Sequence, residues 1–317
     1  MESTEYIVSI VERIKSVLKS NYQIENKSSL WKWCSDHHIR VDVNVDTLED
    51  MANNSLTWGF MGGHSDNLNV KAIIDLAKSI GVSGIQNPEN GDKVHPKTNV
   101  LNLSNSEILQ KIEKRIGFDI SSPAFIGNRK STLTDYGIVT DRHCHYLWIL
   151  KRIIELCPDR KSRILEVGAG LGLLGFYLDK SGYKDYTTID LAYPNACQAY
   201  FLARNLPERN IIISGEKANP FSSKFKDSLK LLHSTDFKDV PKGRFDLMIN
   251  IDSLTEMNIE EANKYMRSDC APLLLSINHE VNEFSVNDIN GDYRTLKYRY
   301  PFWLRAGYVE ELYEINN

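Results

Sequence analysis

The stretch Glu166-Val-Gly168-Ala-Gly170-Leu-Gly172-Leu-Leu-Gly175 decides how this chain of 317 residues is read. Before it stands RILEV (163–167), with the apolar texture of a buried strand, and after it the apolar spacing of a helix over 171–181. Glycines between strand and helix let the main chain turn sharply and let a ligand approach the backbone. Asp190 closes the next strand-like run, YTTID (186–190). A carboxylate placed there can take both hydroxyls of a ribose. Ligands of open α/β sheets bind beyond the carboxyl ends of the strands, so loop and acid mark one crevice.

Working outward, residues 141–317 alternate short apolar runs with amphipathic segments. The spacing predicts a helix over Asp141–Cys157 that stops at Pro158, and another over Asn195–Asn205. FDLMINI (245–251) and PLLLSIN (272–278) read as two further buried strands, separated by a helix with Asn258 as N-cap. Either NIIIS (210–214) or LKLLH (229–233) can supply the third strand, and the second is preferred. After Asn290-Gly291 come TLKYRY, a turn with Pro301, and YVEELYEI. A connection that short joins antiparallel strands, because a parallel crossover needs about a dozen residues or more. The expected fold is therefore α/β, a mostly parallel sheet with an antiparallel last strand.

Residues 1–140 differ in texture and are expected to form a helical, loop-rich N-terminal cap. Helices are predicted over 4–20, 68–80 and 105–116, the last with Ser104 and Glu107 in capping-box spacing. Ile7, Ile10, Val11, Ile14, Val17 and Leu18 share one helix face, which predicts packing on the rest of the chain. Trp58-Gly-Phe60-Met-Gly-Gly63-His64 places aromatics among glycines, suited either to stacking on an acceptor or to a small core. The cap reads as a substrate platform or a dimerisation element, and a homodimer stays open.

The spacing of the glycine loop separates two families of ligand. A GxGxxG dinucleotide fingerprint would need a third glycine at Leu173, whereas this chain has GxGxG, with Glu166 two residues before the first glycine. The motif resembles motif I of class I S-adenosylmethionine (SAM) methyltransferases, whose sheet is Rossmann-like. That resemblance covers roughly 141–317 and implies SAM as cofactor. It implies contacts from Glu166, Gly168, Ala169, Gly170, Gly172, Asp190, Leu191, Ser234 and Asn250. A narrower likeness lies in Asn250-Ile-Asp252-Ser253-Leu-Thr-Glu256-Met257 and in Ser-Ile-Asn278-His279. These words resemble a bacterial group of sugar O-methyltransferases, which implies a nucleotide-linked or glycan-bound sugar as acceptor and a place in polysaccharide biosynthesis. A small-molecule or natural-product O-methyltransferase would share the same motifs. A non-catalytic SAM-binding scaffold would keep the loop and Asp190 but lack a base aimed at the methyl.

Methyl transfer to a sugar hydroxyl is an in-line displacement by a weak nucleophile, so a general base is expected. His279, after the fifth strand, is the first choice, because imidazole ordinarily titrates near neutrality. Asp252 and Glu256, after the fourth strand, can accept the proton or fix a neighbouring hydroxyl. They can also cap or begin the helix that follows. Mg²⁺ at these acids is conceivable chemistry, yet no spaced ligand motif indicates it. His143 and His145 point in different directions on the predicted helix and read as structural.

Composition narrows the classes further. The net charge is −4, spread evenly along the chain, which disfavours a dedicated nucleic-acid surface. No apolar run reaches the length of a membrane span, and Glu12, Arg13 and Lys15 interrupt the N-terminal helix as they would not in a signal peptide. Five scattered cysteines form no metal or disulfide pattern, so a cytoplasmic setting is expected.

Overall fold

The structure is a computed structural model that describes residues 2–21, 28, 31, 32, 44, 46, 48, 65–91, 93–124 and 131–316. The aromatic-glycine stretch with Trp58, Phe60, Gly63 and His64 lies outside the described residues. Among the described residues the chain begins with α1 (Glu2–Asn21), α2 (Asp66–Ser79) and α3 (Asn105–Ile116). A small hairpin follows, β1 (Thr132–Thr134) with β2 (Gly137–Val139), and then α4 (Asp141–Leu156). The remainder alternates β3 (Ile164–Val167), α5 (Leu173–Lys180), β4 (Tyr186–Asp190), α6 (Ala192–Asn205), β5 (Ile211–Ile213) and β6 (Leu229–His233). It continues with β7 (Leu247–Ile251), α7 (Ile259–Met266), β8 (Leu273–His279), α8 (Val286–Asn290), β9 (Arg294–Pro301) and β10 (Tyr308–Ile315).

Eight strands form one sheet in the order β5-β6-β4-β3-β7-β8-β10-β9. All pairs from β5 to β8 are parallel, and β10 is inserted antiparallel between β8 and β9. This is the expected α/β arrangement, a mostly parallel sheet with an antiparallel last strand, preceded by helices. Of the two candidates for the third strand, β6 pairs with β4, while the other, β5, adds an outer edge. Strands β3, β4, β6 and β7 are buried along their whole length, as a sheet covered on both faces requires.

Side-chain alternation sorts the strands onto two cores. Ile164, Leu247, Ile249 and Leu275 face one cluster with α4, α5 and α6, and Leu165, Val167, Met248 and Leu274 face the other with α7 and α8. The apolar stripe of α1 joins the first cluster: Ile7, Ile10, Val11, Ile14, Val17 and Leu18 are buried, chiefly against α6. Arg13 fixes that docking by donating to Glu216 and to the carbonyl of Ile211 on β5. The cap and the sheet thus share one continuous core among the described residues.

Local chemistry explains the element ends. The Ser104–Glu107 capping box is formed at α3, and Gly117 ends that helix in a left-handed conformation. Helix α6 begins at Ala192, ahead of the expected 195, because Pro194 is still in the first turn, where a missing N–H costs nothing. Asn258 occupies the N-cap position of α7.

Candidate active site

The glycine loop is built for close approach. Gly168 has φ 73°, and a Cβ there would overlap the Ser253 hydroxyl and lie 2.5 Å from its Cβ. Gly172, at φ 86°, is the N-cap of α5. Gly175 lets α5 lie on the sheet, since a Cβ would come within 2.5 Å of the Tyr186 ring. At the end of β4, Asp190 accepts from the Gly170 N–H (3.2 Å), the Leu191 N–H (2.8 Å) and Gln198 Nε2 (2.9 Å), which ties the acid to the loop.

A cavity of about 1170 Å³ opens over the carboxyl ends of β3, β4, β6, β7 and β8. That is larger than the usual ~300–1,000 Å³ of a single small-ligand pocket, so it has room for a cofactor and an acceptor together. Gly168, Gly170, Asp190, Leu191 and Ser234 line one end, with Thr235, Phe237 and Lys238 beside them. Arg142, Tyr146, Asp252, Glu256, His279, Arg305 and Tyr308 line the other. Ser28 and Trp31 bring the N-terminal region into the wall.

Four residues expected at the cofactor do not line this cavity: Glu166, Ala169, Gly172 and Asn250. Glu166 faces into the protein, fully buried, and accepts a hydrogen bond from the Tyr186 hydroxyl. Burial pushes its carboxyl up to about 8, despite the hydrogen bond from Tyr186. Ala169 is buried beneath the turn, its carbonyl accepting from the Gly172 N–H at 2.9 Å. Asn250 is spent on buried partners: it donates to the Val167 carbonyl (2.8 Å) and accepts from the Leu254 N–H (3.1 Å) and Asn278 Nδ2 (2.9 Å). Ser253 donates to the same Val167 carbonyl (3.1 Å), and its N–H donates to Asn278 Oδ1 (3.1 Å). The Asn-x-x-Ser wording therefore fastens the ends of β7 and β8 to the glycine loop.

Asp252, Glu256 and His279 do converge. His279 Nε2 lies 3.6 Å from Asp252 Oδ1 and 3.8 Å from Glu256 Oε1. Asp252 follows β7 in a left-handed conformation (φ 56°), the only non-glycine residue with positive φ among those described. Its Oδ2 accepts from Arg305 Nη1 (2.6 Å) and Arg142 Nη2 (3.4 Å), and its Oδ1 accepts from the Tyr308 hydroxyl (2.7 Å). Burial alone would raise this carboxyl, but Arg305, Arg142 and the hydrogen bonds from Tyr308 and Arg305 outweigh it and hold it below the usual range. Glu256 responds the other way: burial and then the Asp252 charge raise it to about 7, against the pull of the two arginines. Tyr308 also sets its ring edge-on to His279, with centroids 5.4 Å apart, and carries the Arg305 guanidinium 3.8 Å above its own ring.

Arg142, Arg305, Tyr146 and Tyr308 were not legible as site residues. Arg142 and Tyr146 come from the first turns of α4, Arg305 from the β9–β10 connection and Tyr308 from the start of β10, far in sequence from the strand ends they meet. One weak signal existed, since a cation at the start of a helix opposes the helix dipole. His145, buried and pushed down to about 3 by burial and Arg142, hydrogen-bonds the Leu304 carbonyl at 3.0 Å and so holds the turn that carries Arg305. His143, pushed down to about 4 by burial, caps its own helix at the Thr140 N–H. Both are buried, and neither lines the cavity.

Asp252, Glu256 and His279 offer ligand atoms within 4.8 Å of one another, which raises the question of a metal. The donor set does not fit Mg²⁺. Both Asp252 oxygens already serve Arg305, Arg142 and Tyr308, and the cation would sit against two guanidiniums.

No family model matches the chain, and no curated protein matches it. Among solved structures, the methyltransferase domain of bacterial CtHen1-CN is 8% identical, covering 56% of this chain and 100% of its own (TM-score 0.38). Magnesium protoporphyrin IX methyltransferase (ChlM) from Synechocystis PCC 6803, solved with bound SAM, is 15% identical over 56% of this chain and 82% of its own (TM-score 0.38). MtNAS, in complex with MTA and tNA, is 9% identical and covers 97% of both chains (TM-score 0.41).

Proposed function

We propose that the chain is a SAM-dependent O-methyltransferase that methylates a hydroxyl of a sugar, nucleotide-linked or glycan-bound. The observation that carries this reading is the single cavity joining the Gly168–Gly170 loop and Asp190 to the Asp252–Glu256–His279 cluster. The loop offers bare backbone to the methionine part of SAM, and Asp190 offers its carboxylate to the ribose. Leu191 and Ser234 border the adenine of SAM. Glu166, Ala169, Gly172 and Asn250 support the loop from behind. Bound there, SAM supplies an electrophilic methyl on a sulfonium.

His279 Nε2 takes the hydroxyl proton as the acceptor oxygen attacks. The resulting imidazolium stands beside Asp252 at 3.6 Å and Glu256 at 3.8 Å. Asp252 acts as a fixed anion that orients this corner, since a carboxylate held low by arginines is a poor base. Glu256, raised to about 7, is the second group able to accept a proton near neutrality. The N-terminal region contributes Ser28 and Trp31 to the cavity wall and acts as its cap. The narrower Asn250–Met257 and Ser276–His279 likeness supports a sugar acceptor.

Incubation with methyl-labelled SAM and a panel of sugars tests the reading. Label should reach a sugar hydroxyl with the wild type and be strongly reduced with His279→Gln. SAM binding without transfer to any acceptor class would favour a non-catalytic scaffold.

A further inference from the structure

The acceptor end of the cavity holds two guanidiniums around one fixed carboxylate. Arg305 and Arg142 both reach Asp252 Oδ2, while Tyr308 takes Oδ1. Glu256 forms no ion pair with either arginine among the described residues. Elsewhere on the wall, Lys264 is matched by Glu261 on its own helix, and Lys238 belongs to the Ser234 side. Asp141, beside Arg142 in the chain, adds negative charge from outside the cavity wall.

Arg305 donates to protein through Nη1 alone among the described residues, which leaves Nη2 and Nε without a side-chain or backbone acceptor. Arg142 is 7% exposed and stands in the first turn of α4, where both desolvation and the helix dipole oppose a cation. Anchoring Asp252 does not use the open fork of Arg305. A sulfonium bound nearby would add still more positive charge. Planar forks with open N–H groups match carboxylate and phosphate oxygens.

We propose that the acceptor carries an anionic group, a carboxylate or a phosphate, which Arg305 and Arg142 hold so that the reacting hydroxyl meets His279. This inference rests on the methyl-transfer reading, which makes the arginine end the acceptor end. The two guanidiniums act as specificity-determining groups and take no proton.

Calorimetry on the full chain loaded with S-adenosylhomocysteine tests it with D-glucuronate, D-glucose 6-phosphate and D-glucose as probes. At least one anionic sugar should bind tenfold or more tightly than glucose, and the tighter of the two identifies carboxylate or phosphate. Arg305→Gln should abolish that preference while Arg305→Lys keeps part of it, both with S-adenosylhomocysteine still bound. Equal or absent binding of all three sugars, or a preference that survives Arg305→Gln, overturns the inference. Failure of S-adenosylhomocysteine itself to bind overturns the methyl-transfer reading beneath it.

Discussion

His279 and Glu166 show how differently two polar residues near one loop behave. His279 faces the cavity with Nε2 between two carboxylates, so His279→Gln should lower turnover by about 100- to 10,000-fold. Initial rates beside calorimetry check this, with S-adenosylhomocysteine affinity expected to hold. Glu166 is raised by burial from 4.5 to about 8, so between those values the folded chain keeps a proton that the unfolded chain has lost. Its contribution to stability is full below about pH 4.5 and declines as pH rises toward 8. Glu166→Gln keeps an acceptor for Tyr186 and should flatten that decline, read as urea midpoints from pH 5 to 8. Asp252, Glu256 and His279 could be picked from the sequence because strand ends are where such sites lie. Their partners Arg142, Arg305 and Tyr308 could not, because contact across distant elements leaves no spacing to read.

At the scale of elements, strand β4 matches YTTID residue for residue, since its aromatic and β-branched run is bounded by turn signals on both sides. The third-strand ambiguity arose because both candidates are strands, and pairing order is not written in either run. The glycine loop gives the sharpest test at this scale. Gly168→Ala places a Cβ against Ser253 in a left-handed conformation, so cofactor affinity should fall at least tenfold and stability by about 1–3 kcal/mol. Calorimetry and thermal melts of the variant measure both. Ser104→Ala removes the α3 capping box far from the cavity and should cost about 1 kcal/mol with affinity intact, by chemical denaturation.

For the whole molecule, the two-part reading of the sequence meets a core that runs through both parts. An amphipathic stripe on α1 announces that something covers it, but not that α6 does. Ile10→Ala should therefore destabilise the entire chain by about 2–5 kcal/mol in one cooperative transition, seen as coincident loss of helix signal and cofactor binding. Among the described residues no helix is long and apolar enough to cross a membrane. The central claim, that the crevice at Gly168–Gly170 and Asp190 is a SAM site, is tested most directly by titrating the chain with S-adenosylhomocysteine and with NAD⁺ side by side. Saturable one-site binding of the first, weakened at least tenfold by Asp190→Ala and absent for the second, is the predicted result. No binding of S-adenosylhomocysteine at saturating concentration, or preferential binding of NAD⁺, would contradict it.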